Sequence, residues 1–295
     1  MNSELTRIIK ERNLHPISYK KIKSVYVIND GKESYVIKLN TNNYDIYRYL
    51  ISKDFLYFPK NFNDKDYNYD MLQYIDELMI NKEQKINDYI KLISLLHSKT
   101  SYLREIDLDE IKQKYESIRN KIKLLKEYYL GLNEKIDHNL FLSPSEYLLI
   151  RNISLIYSLL DNSIIILDKL YNKLKEEKSI RISLLHNNVD LEHLIVKDEY
   201  YLISWDKSYF DSPIYEIEEI YRKYYQIIEL NDLFRVYELN NKLTLIEKGL
   251  LLVNLSIPKE FKLTNNTYLD TKIINNEIKY LKKVYELLIK YENEI

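Results

Sequence analysis

Alternating apolar and polar residues predict a group of β-strands near the start of the chain. Residues 18–40, SYKKIKSVYVINDGKESYVIKLN, alternate on either side of the turn sequence NDGK, which is typical of a β-hairpin. A further β-like stretch covers residues 67–75, and residues 42–52 between the two are predicted to form a short helix. We therefore expect a small lobe rich in strands over residues 1–78.

Beyond this lobe, apolar residues recur with helical spacing. One segment repeats them at steps of four and three for nearly four heptads, which indicates a helix with a long apolar seam. The seam consists of Ile111, Tyr115, Ile118, Ile122, Leu125, Tyr129, Leu132 and Ile136. The following sequence SPSE supplies Ser143 as N-cap, Pro144 at the first helical position and Glu146 to close a capping box. We expect helices at about 108–137 and 144–176 to pack antiparallel as a helical hairpin.

The segment 183–206, SLLHNNVDLEHLIVKDEYYLISWD, interrupts the helical pattern. Its apolar runs HLIV and YYLIS flank the charged turn KDE and predict a second β-hairpin, which follows a polar loop beginning at His186. Helical spacing returns after Pro213 and continues to the end of the chain.

Composition excludes several kinds of site. The chain has no cysteine, which excludes disulfides and thiolate zinc sites, and its three glycines are too few for a glycine-rich phosphate loop. A net charge of −1 gives no case for nucleic-acid binding. The N-terminus lacks the apolar core of a signal peptide, and the longest apolar runs fall short of a membrane span. We expect a soluble, cytoplasmic protein with no membrane span.

The motifs around the polar loop resemble the protein-kinase-like fold in its aminoglycoside and choline phosphotransferase branch. HNNVDLEHLIV, residues 186–196, is similar to the catalytic loop H-x-D-x-x-x-x-N of that branch. LISWDKSYFDSPIYEI, residues 202–217, is similar to its metal loop I-D-W and to the D-P-x-x-D element that opens the next helix. The combination looks most like the spore-coat kinase-like proteins of Firmicutes, whose catalytic motifs are also degenerate.

This resemblance implies an α+β, two-lobed fold. The small β-rich N-lobe would cover residues 1–78 and the large helical C-lobe residues 79–295, with a hinge near Gln73 to Glu77. The C-lobe would contain a long helical-hairpin insertion over 104–178 and the catalytic-type loop and hairpin over 183–206.

The resemblance also implies that the chemical residues are lost. Asn188 stands at the position of the catalytic aspartate, and an amide cannot accept the proton of an attacking hydroxyl. His193 stands at the position of the metal-binding asparagine and Ser204 at that of the metal-loop aspartate. Neither is a good ligand for Mg²⁺. Catalysis by the family mechanism is therefore not expected.

Other motif positions match the family. The structural positions His186, Trp205, Asp211, Pro213 and Glu216 correspond to scaffolding residues of the loop, the metal loop and the next helix. Lys38, at the end of a predicted strand, matches the lysine that contacts phosphate. The resemblance implies a carboxylate partner from the following helix, and Asp45 is the candidate.

Two aspartates offer an alternative active site. Asp190 and Asp206 each lie two residues beyond a lost carboxylate. In a continuous strand, Asp206 would share a face with Ser204 but lie about 6–7 Å further along, which is far for a compact metal site. The group formed by His186, His193, Asp190 and Glu192 lacks the spacing of a metal site. We expect no metal site and no cofactor beyond weak binding of ATP with Mg²⁺.

Three functions remain open. The first is a catalytically degenerate kinase-like protein that binds a protein partner, or a small molecule in its cleft, as a scaffold. The second is a divergent but active small-molecule phosphotransferase that uses Asp190 and Asp206. The third is a coiled-coil assembly protein that uses the seam at 111–136. The sequence identifies neither the partner nor the oligomeric state, and a spore-coat location rests on the resemblance alone.

Overall fold

The computed structural model describes residues 3–264 and 266–292 and belongs to the α+β class. Its described residues form two compact units: unit 1 within residues 1–101 and 183–210, and unit 2 within residues 102–182 and 211–295. Two of the points at which the chain passes from one unit to the other lie within strands: one in β6 (Ser179–Leu185) and one in β9 (Tyr209–Asp211).

Unit 1 contains a four-stranded antiparallel sheet in the order β1–β2–β3–β4. The strands are β1 (Ser18–Ile22), β2 (Val25–Asn29), β3 (Ser34–Leu39) and β4 (Tyr69–Gln73), so the two predicted β regions share one sheet, as expected. The sheet packs against helix α1 (Ser3–Glu11), because alternation along each strand sends every second side chain to the same face. The buried core consists of Leu5, Ile8, Ile9, Ile28, Tyr35, Ile37, Tyr69 and Met71.

Two helices and a small hairpin complete unit 1. The helices are α2 (Tyr44–Ser52) and α3 (Lys82–Thr100), and the hairpin pairs β7 (Leu194–Val196) with β8 (Tyr200–Leu202), as predicted. Helix α3 belongs here rather than with the other helices, because its C-terminal end bonds to the segment that leads into the polar loop. The Leu184 amide donates to Thr100 Oγ1 at 3.1 Å, and Ser183 Oγ donates to the His97 carbonyl at 3.2 Å. Unit 1 therefore includes α3 and extends to Ser101, and the lobe boundary at residue 78 stays a prediction.

Unit 2 contains the predicted helical hairpin. Helices α4 (Leu108–Asp137) and α5 (Pro144–Leu174) run antiparallel, since Tyr115 Oη donates to Asp168 at 2.7 Å while the later Lys126 bonds to the earlier Asp161. The capping box between Ser143 and Glu146 is present, as predicted. The seam residues Ile111, Ile122, Leu125, Tyr129 and Ile136 are buried within this chain.

The rest of unit 2 is mainly helical. Strand β5 (Tyr102–Glu105) pairs antiparallel with the first residues of β6, and four helices follow: α6 (Ile214–Tyr224), α7 (Leu230–Tyr237), α8 (Leu245–Ser256) and α9 (Thr267–Glu292). By length and composition α5 could cross a membrane. It also contacts α4, α8 and α9, and a stripe of its apolar residues is buried in the unit.

Candidate functional site

The polar loop after β6, which begins at His186, is stabilised by hydrogen bonds from the side chains of Asn188 and His193. Asn188, whose surface is only 9% exposed, donates from Nδ2 to the backbone oxygen of Ser204 at 3.1 Å. A carboxylate at this position could not make the bond, because an ionised carboxyl has no hydrogen to donate. The amide at the catalytic position thus joins the polar loop to the following turn.

His193 stabilises the same loop from within. Its Nδ1 lies 3.2 Å from the backbone oxygen of Asn188, and since a carbonyl oxygen only accepts, Nδ1 carries the proton. Its backbone amide donates to the Asp190 oxygen at 2.8 Å, and its own carbonyl accepts from the Ile203 amide at 3.0 Å. His193 therefore fixes the backbone rather than presenting both ring nitrogens to a ligand.

Ser204 lies at a sharp turn. Its backbone is left-handed, with φ 67° and ψ 61°, and a short 3₁₀ turn at Trp205–Lys207 follows directly. The expectation that Ser204 and Asp206 share the face of one strand is wrong, because the strand has already ended at Leu202. Asp and Asn enter this left-handed region more readily than most residues, so the turn itself would accept an aspartate at Ser204.

Lys38 and Asp206 form an ion pair beside this turn. Lys38 on β3 donates from Nζ to the Asp206 carboxylate at 2.6 Å. Partial burial opposes ionisation of Asp206, but the hydrogen bond and charge of Lys38 outweigh it and lower the pKa of that carboxyl. The expected pairing with Asp45 is not formed: Asp45 is exposed in the first turn of α2. The carboxylate that pairs with Lys38 is therefore Asp206, which lies 168 residues later in the chain.

A second lysine reaches the polar loop and was missed by the sequence analysis. Lys23, in the β1–β2 turn with a left-handed φ of 50°, forms an ion pair with Glu192. Its hydrogen bond to Glu192 raises the pKa of Lys23, with a smaller contribution from the charge of Asp190. Asp190 itself caps the 3₁₀ turn Leu191–His193 by accepting from the Glu192 amide at 3.3 Å.

His186 and Trp205 are buried beside the polar loop, and their scaffolding role stays a prediction. His186 Nε2 bonds to the backbone oxygen of Ile203 at 2.9 Å, and its ring meets Trp205 edge to face at 4.8 Å between centroids. Trp205 Nε1 donates to the Leu202 oxygen at 3.1 Å. These bonds hold the turn at Ser204 against the loop.

The remaining predicted residues belong to unit 2. Asp211 lies 3.7 Å from the ammonium of Lys114. Pro213 immediately precedes α6, and Glu216 is buried in the first turn of that helix. The predicted opening of a helix after this element is confirmed.

An apolar slot in unit 1 lies beside the Lys38–Asp206 pair. Its volume is about 220 Å³, and its walls come from the sheet face opposite α1 and from Ile195 and Ile203. The sheet residues are Ile22, Val25, Val27, Val36 and Leu72. Pockets for drug-sized ligands have volumes of about 300–1,000 Å³, so the slot is large enough only for a small group such as one ring system.

The polar end of the slot contains a buried acid that the sequence analysis also missed. Asp70 accepts from Thr41 Oγ1 at 2.9 Å and from Asn43 Nδ2 at 2.6 Å, and it is 3% exposed. Its tyrosine-rich strand gave no sign of this role, because the partners lie nearly thirty residues earlier. Lys38, the partner of Asp70 across β3 and β4, and Ser204 also line the slot.

These residues do not fit the Mg²⁺ ion that the kinase-like fold implies. Mg²⁺ requires several oxygen ligands in near-octahedral geometry, but Asn188, His193 and Ser204 provide no carboxylate and Asp206 is bound to Lys38. Among the described residues, no group of three or more His, Asp or Glu side chains could hold a metal ion. The loop residues therefore do not offer the ligands that Mg²⁺ requires.

Comparison with solved structures identifies the fold. An aminoglycoside phosphotransferase from Alicyclobacillus acidocaldarius superposes with a TM-score of 0.65 at 11% identity, covering 94% of each chain. The AMP-bound spectinomycin phosphotransferase APH(9)-Ia gives 0.51 at 14% identity, covering 95% of this chain and 98% of that one. The choline kinase LicA from Streptococcus pneumoniae gives 0.48 at 16% identity, with 98% and 100% covered.

No protein-family model matches the sequence, and neither does any curated protein. At these identities the likeness shows the fold alone. The chain has the protein-kinase-like fold of the phosphotransferases, with a small antiparallel sheet and a mainly helical remainder, as the resemblance implied.

Proposed function

We propose that the protein is a catalytically degenerate kinase-like protein that binds a nucleotide or a related ring compound without Mg²⁺ and acts through binding. The proposal rests on one observation: the side chains at the positions of the catalytic aspartate and the metal-binding asparagine are hydrogen-bonded to backbone oxygens. Asn188 bonds to Ser204, and His193 bonds to Asn188. Phosphoryl transfer needs a base and metal-bound phosphates at these positions, since positioning and charge neutralisation supply most of the rate.

The slot supports the binding part of this proposal. It is apolar, of ring size, and bordered by Lys38, whose ammonium could exchange Asp206 for a phosphate oxygen. A related structure holds AMP, and we extend nucleotide binding from that protein to this one as part of the proposal. We therefore expect nucleotide binding to depend on the positive charge of Lys38, even though no metal takes part.

Calorimetric titration with ADP and ATP, with and without Mg²⁺, tests whether a nucleotide binds and whether binding needs the metal. An assay of phosphoryl transfer tests the absence of catalysis. We expect weak binding that Mg²⁺ does not strengthen and no transfer to aminoglycosides, choline or protein substrates. Lys38→Met should weaken the binding, whereas Lys32→Met, an exposed position in the β2–β3 turn of the same sheet, should leave it unchanged. Binding that requires Mg²⁺ would contradict the proposal.

The second candidate, a divergent active phosphotransferase, is favoured by the position of Asp206. Its carboxylate reaches the lysine that matches the family's phosphate contact. This candidate predicts ATP turnover with Mg²⁺ that is abolished by Asp206→Asn or by Asp190→Asn. If such turnover is found, the degenerate function is refuted.

The coiled-coil assembly function is less favoured, because most of the seam at 111–136 is buried within the chain. Association with a spore coat stays a prediction from the resemblance, and fractionation of sporulating cells would test it.

A further inference from the structure

Unit 2 contains a second cavity, separate in its residues from the slot of unit 1. Its volume is about 380 Å³, within the range of about 300–1,000 Å³ that holds small molecules. Its walls come from α4, α5, the start of β6, α6 and α8. Apolar side chains dominate the lining, among them Ile111, Ile118, Leu167, Leu174, Ile246 and Leu250.

A pair of tyrosines forms a flat part of the wall. The rings of Tyr115 and Tyr171 stack with centroids 4.2 Å apart and planes 14° from parallel. The hydrogen bond from Tyr115 to Asp168 at 2.7 Å, across the helical hairpin, fixes the first ring. Stacking covers one face of each ring, and Lys175 Nζ lies 4.7 Å from the centroid of Tyr171, so the pair contributes ring edges and at most the outer face of Tyr115 to the cavity. Such rigid aromatic groups bind other rings at little cost in side-chain entropy.

Apart from the exposed Glu177, the charged side chains that line the cavity form ion pairs. At one edge, Lys114 lies 3.1 Å from Glu110 and 3.7 Å from Asp211, and Arg104 binds both oxygens of Glu110 at 2.9 Å. Two cations therefore face two anions. A charged ligand would have to displace one of these partners, because this edge has no charge in excess.

The second charged group is equally saturated. Arg181 binds Glu247 through two nitrogens, at 2.9 and 2.5 Å, and binds Asn241 through the third at 2.5 Å. Glu247 also accepts from the Thr244 amide at 2.8 Å, in the capping box of α8. These groups have their partners already, so they add little attraction for a charged ligand.

Tyr215 supplies a neutral polar group on the wall. Burial raises the pKa of its hydroxyl, with the nearby charge of Lys114 opposing the shift, so the phenol stays protonated at neutral pH. It can donate to one polar atom of a ligand or accept from one. From these observations together we propose that the unit 2 cavity is a binding site for an uncharged aromatic small molecule with a single polar substituent.

Three naphthalene probes of equal ring size test the charge preference by calorimetry: neutral 2-naphthamide, anionic 2-naphthoate and cationic 2-naphthylmethylammonium. We expect one molecule of the amide to bind, and each charged probe to bind at least about tenfold more weakly, since burial of an unpaired charge is costly. No binding of the amide, or equal binding of all three probes, would overturn the proposal.

Substitutions locate the site. Ile118→Trp fills the cavity from a half-buried position and should abolish amide binding, whereas Leu130→Trp, at an exposed position of the same helix that does not line this cavity, should preserve it. Ile246→Trp fills the cavity from α8 and serves if the first variant does not fold. Amide binding that survives either folded filling variant would place the probe elsewhere and refute the site.

A third variant changes the preference instead of blocking the cavity. Lys114→Met leaves Asp211 without its cation, so the edge gains one negative charge. We expect this variant to bind 2-naphthylmethylammonium more tightly than the amide, reversing the order of the natural protein. An unchanged order would show that these charges do not border the bound probe and would contradict the proposal.

Discussion

The amide of Asn188 is the most sensitive point of the polar loop, and Asn188→Asp perturbs it with almost no change in size. The substitution removes the donor to the Ser204 oxygen and places a carboxylate against it, at a residue that is only 9% exposed. Loss of the bond costs about 1 kcal/mol, and leaving buried polar groups without partners adds about 1–3 kcal/mol. We expect a total loss of about 2–4 kcal/mol in the free energy of unfolding at pH 7.

The pH dependence identifies the cause. Burial raises the pKa of the introduced carboxyl in the folded state above its unfolded value of about 4. The protonated form is therefore tolerated, so the deficit should be small below about pH 4 and should grow as the pH rises through the folded pKa. Urea unfolding followed by fluorescence is suitable, because Trp205 is the single tryptophan and packs against His186 in this site.

The neighbouring Asn187→Asp is the matched control. Asn187 is half-buried, donates to the Lys207 oxygen at 3.1 Å and has a left-handed φ of 53° that aspartate also accepts. We expect it to cost about 1 kcal/mol or less. Equal losses in both variants, or no loss in Asn188→Asp at pH 7, would refute the argument that the buried amide closes the loop.

Three further substitutions test other contacts by urea unfolding. Asp206→Asn should lose less than about 1 kcal/mol at pH 7, because the pair with Lys38 is partly exposed. Since Lys38 lowers the pKa of Asp206 in the folded protein, the loss should shrink as the pH falls below about 4 and vanish only once the pH is below that lowered pKa. A loss that persists there would contradict the ion-pair explanation. Glu247→Gln leaves the mostly buried Arg181 without its charge partner and should lower the free energy of unfolding by about 3 kcal/mol. An unchanged free energy of unfolding would contradict this expectation. Ile122→Ala should lower the free energy of unfolding by about 2–5 kcal/mol, because Ile122 is buried within the chain. Light scattering should show the same oligomeric state for the variant and the natural protein. Dissociation of an oligomer in the variant would support the assembly function instead.

Periodicity in the sequence was sufficient for the regular elements. The β-hairpin at 18–40 and the α4–α5 hairpin each repeat a local pattern over many residues, so a few exceptions do not change the prediction. The capping box at Ser143 was visible for the same reason, because its two partners are three residues apart.

The site could be predicted only in part. Lys38 was recognised, but its partner Asp206 lies 168 residues later in the chain, and no local pattern joins them. The ion pair of Lys23 with Glu192 spans 169 residues and was missed for the same reason. The left-handed backbone at Ser204 was also missed, because serine is not a residue that signals this conformation.

The bonds among Asn188, His193 and Ser204 imply that their substitutions act together. An aspartate at position 188 alone is unfavourable in the present loop, yet with His193→Asn and Ser204→Asp it would face a second introduced carboxylate and the existing Asp206. Several carboxylates close together repel one another unless a cation binds between them. We therefore expect the triple variant to be less stable than the natural protein without Mg²⁺, and to gain both stability and nucleotide affinity when Mg²⁺ is added. Thermal unfolding with and without Mg²⁺ and ADP measures both effects. A triple variant that is indifferent to Mg²⁺ would show that the loss of metal binding lies in the shape of the loop rather than in these three side chains.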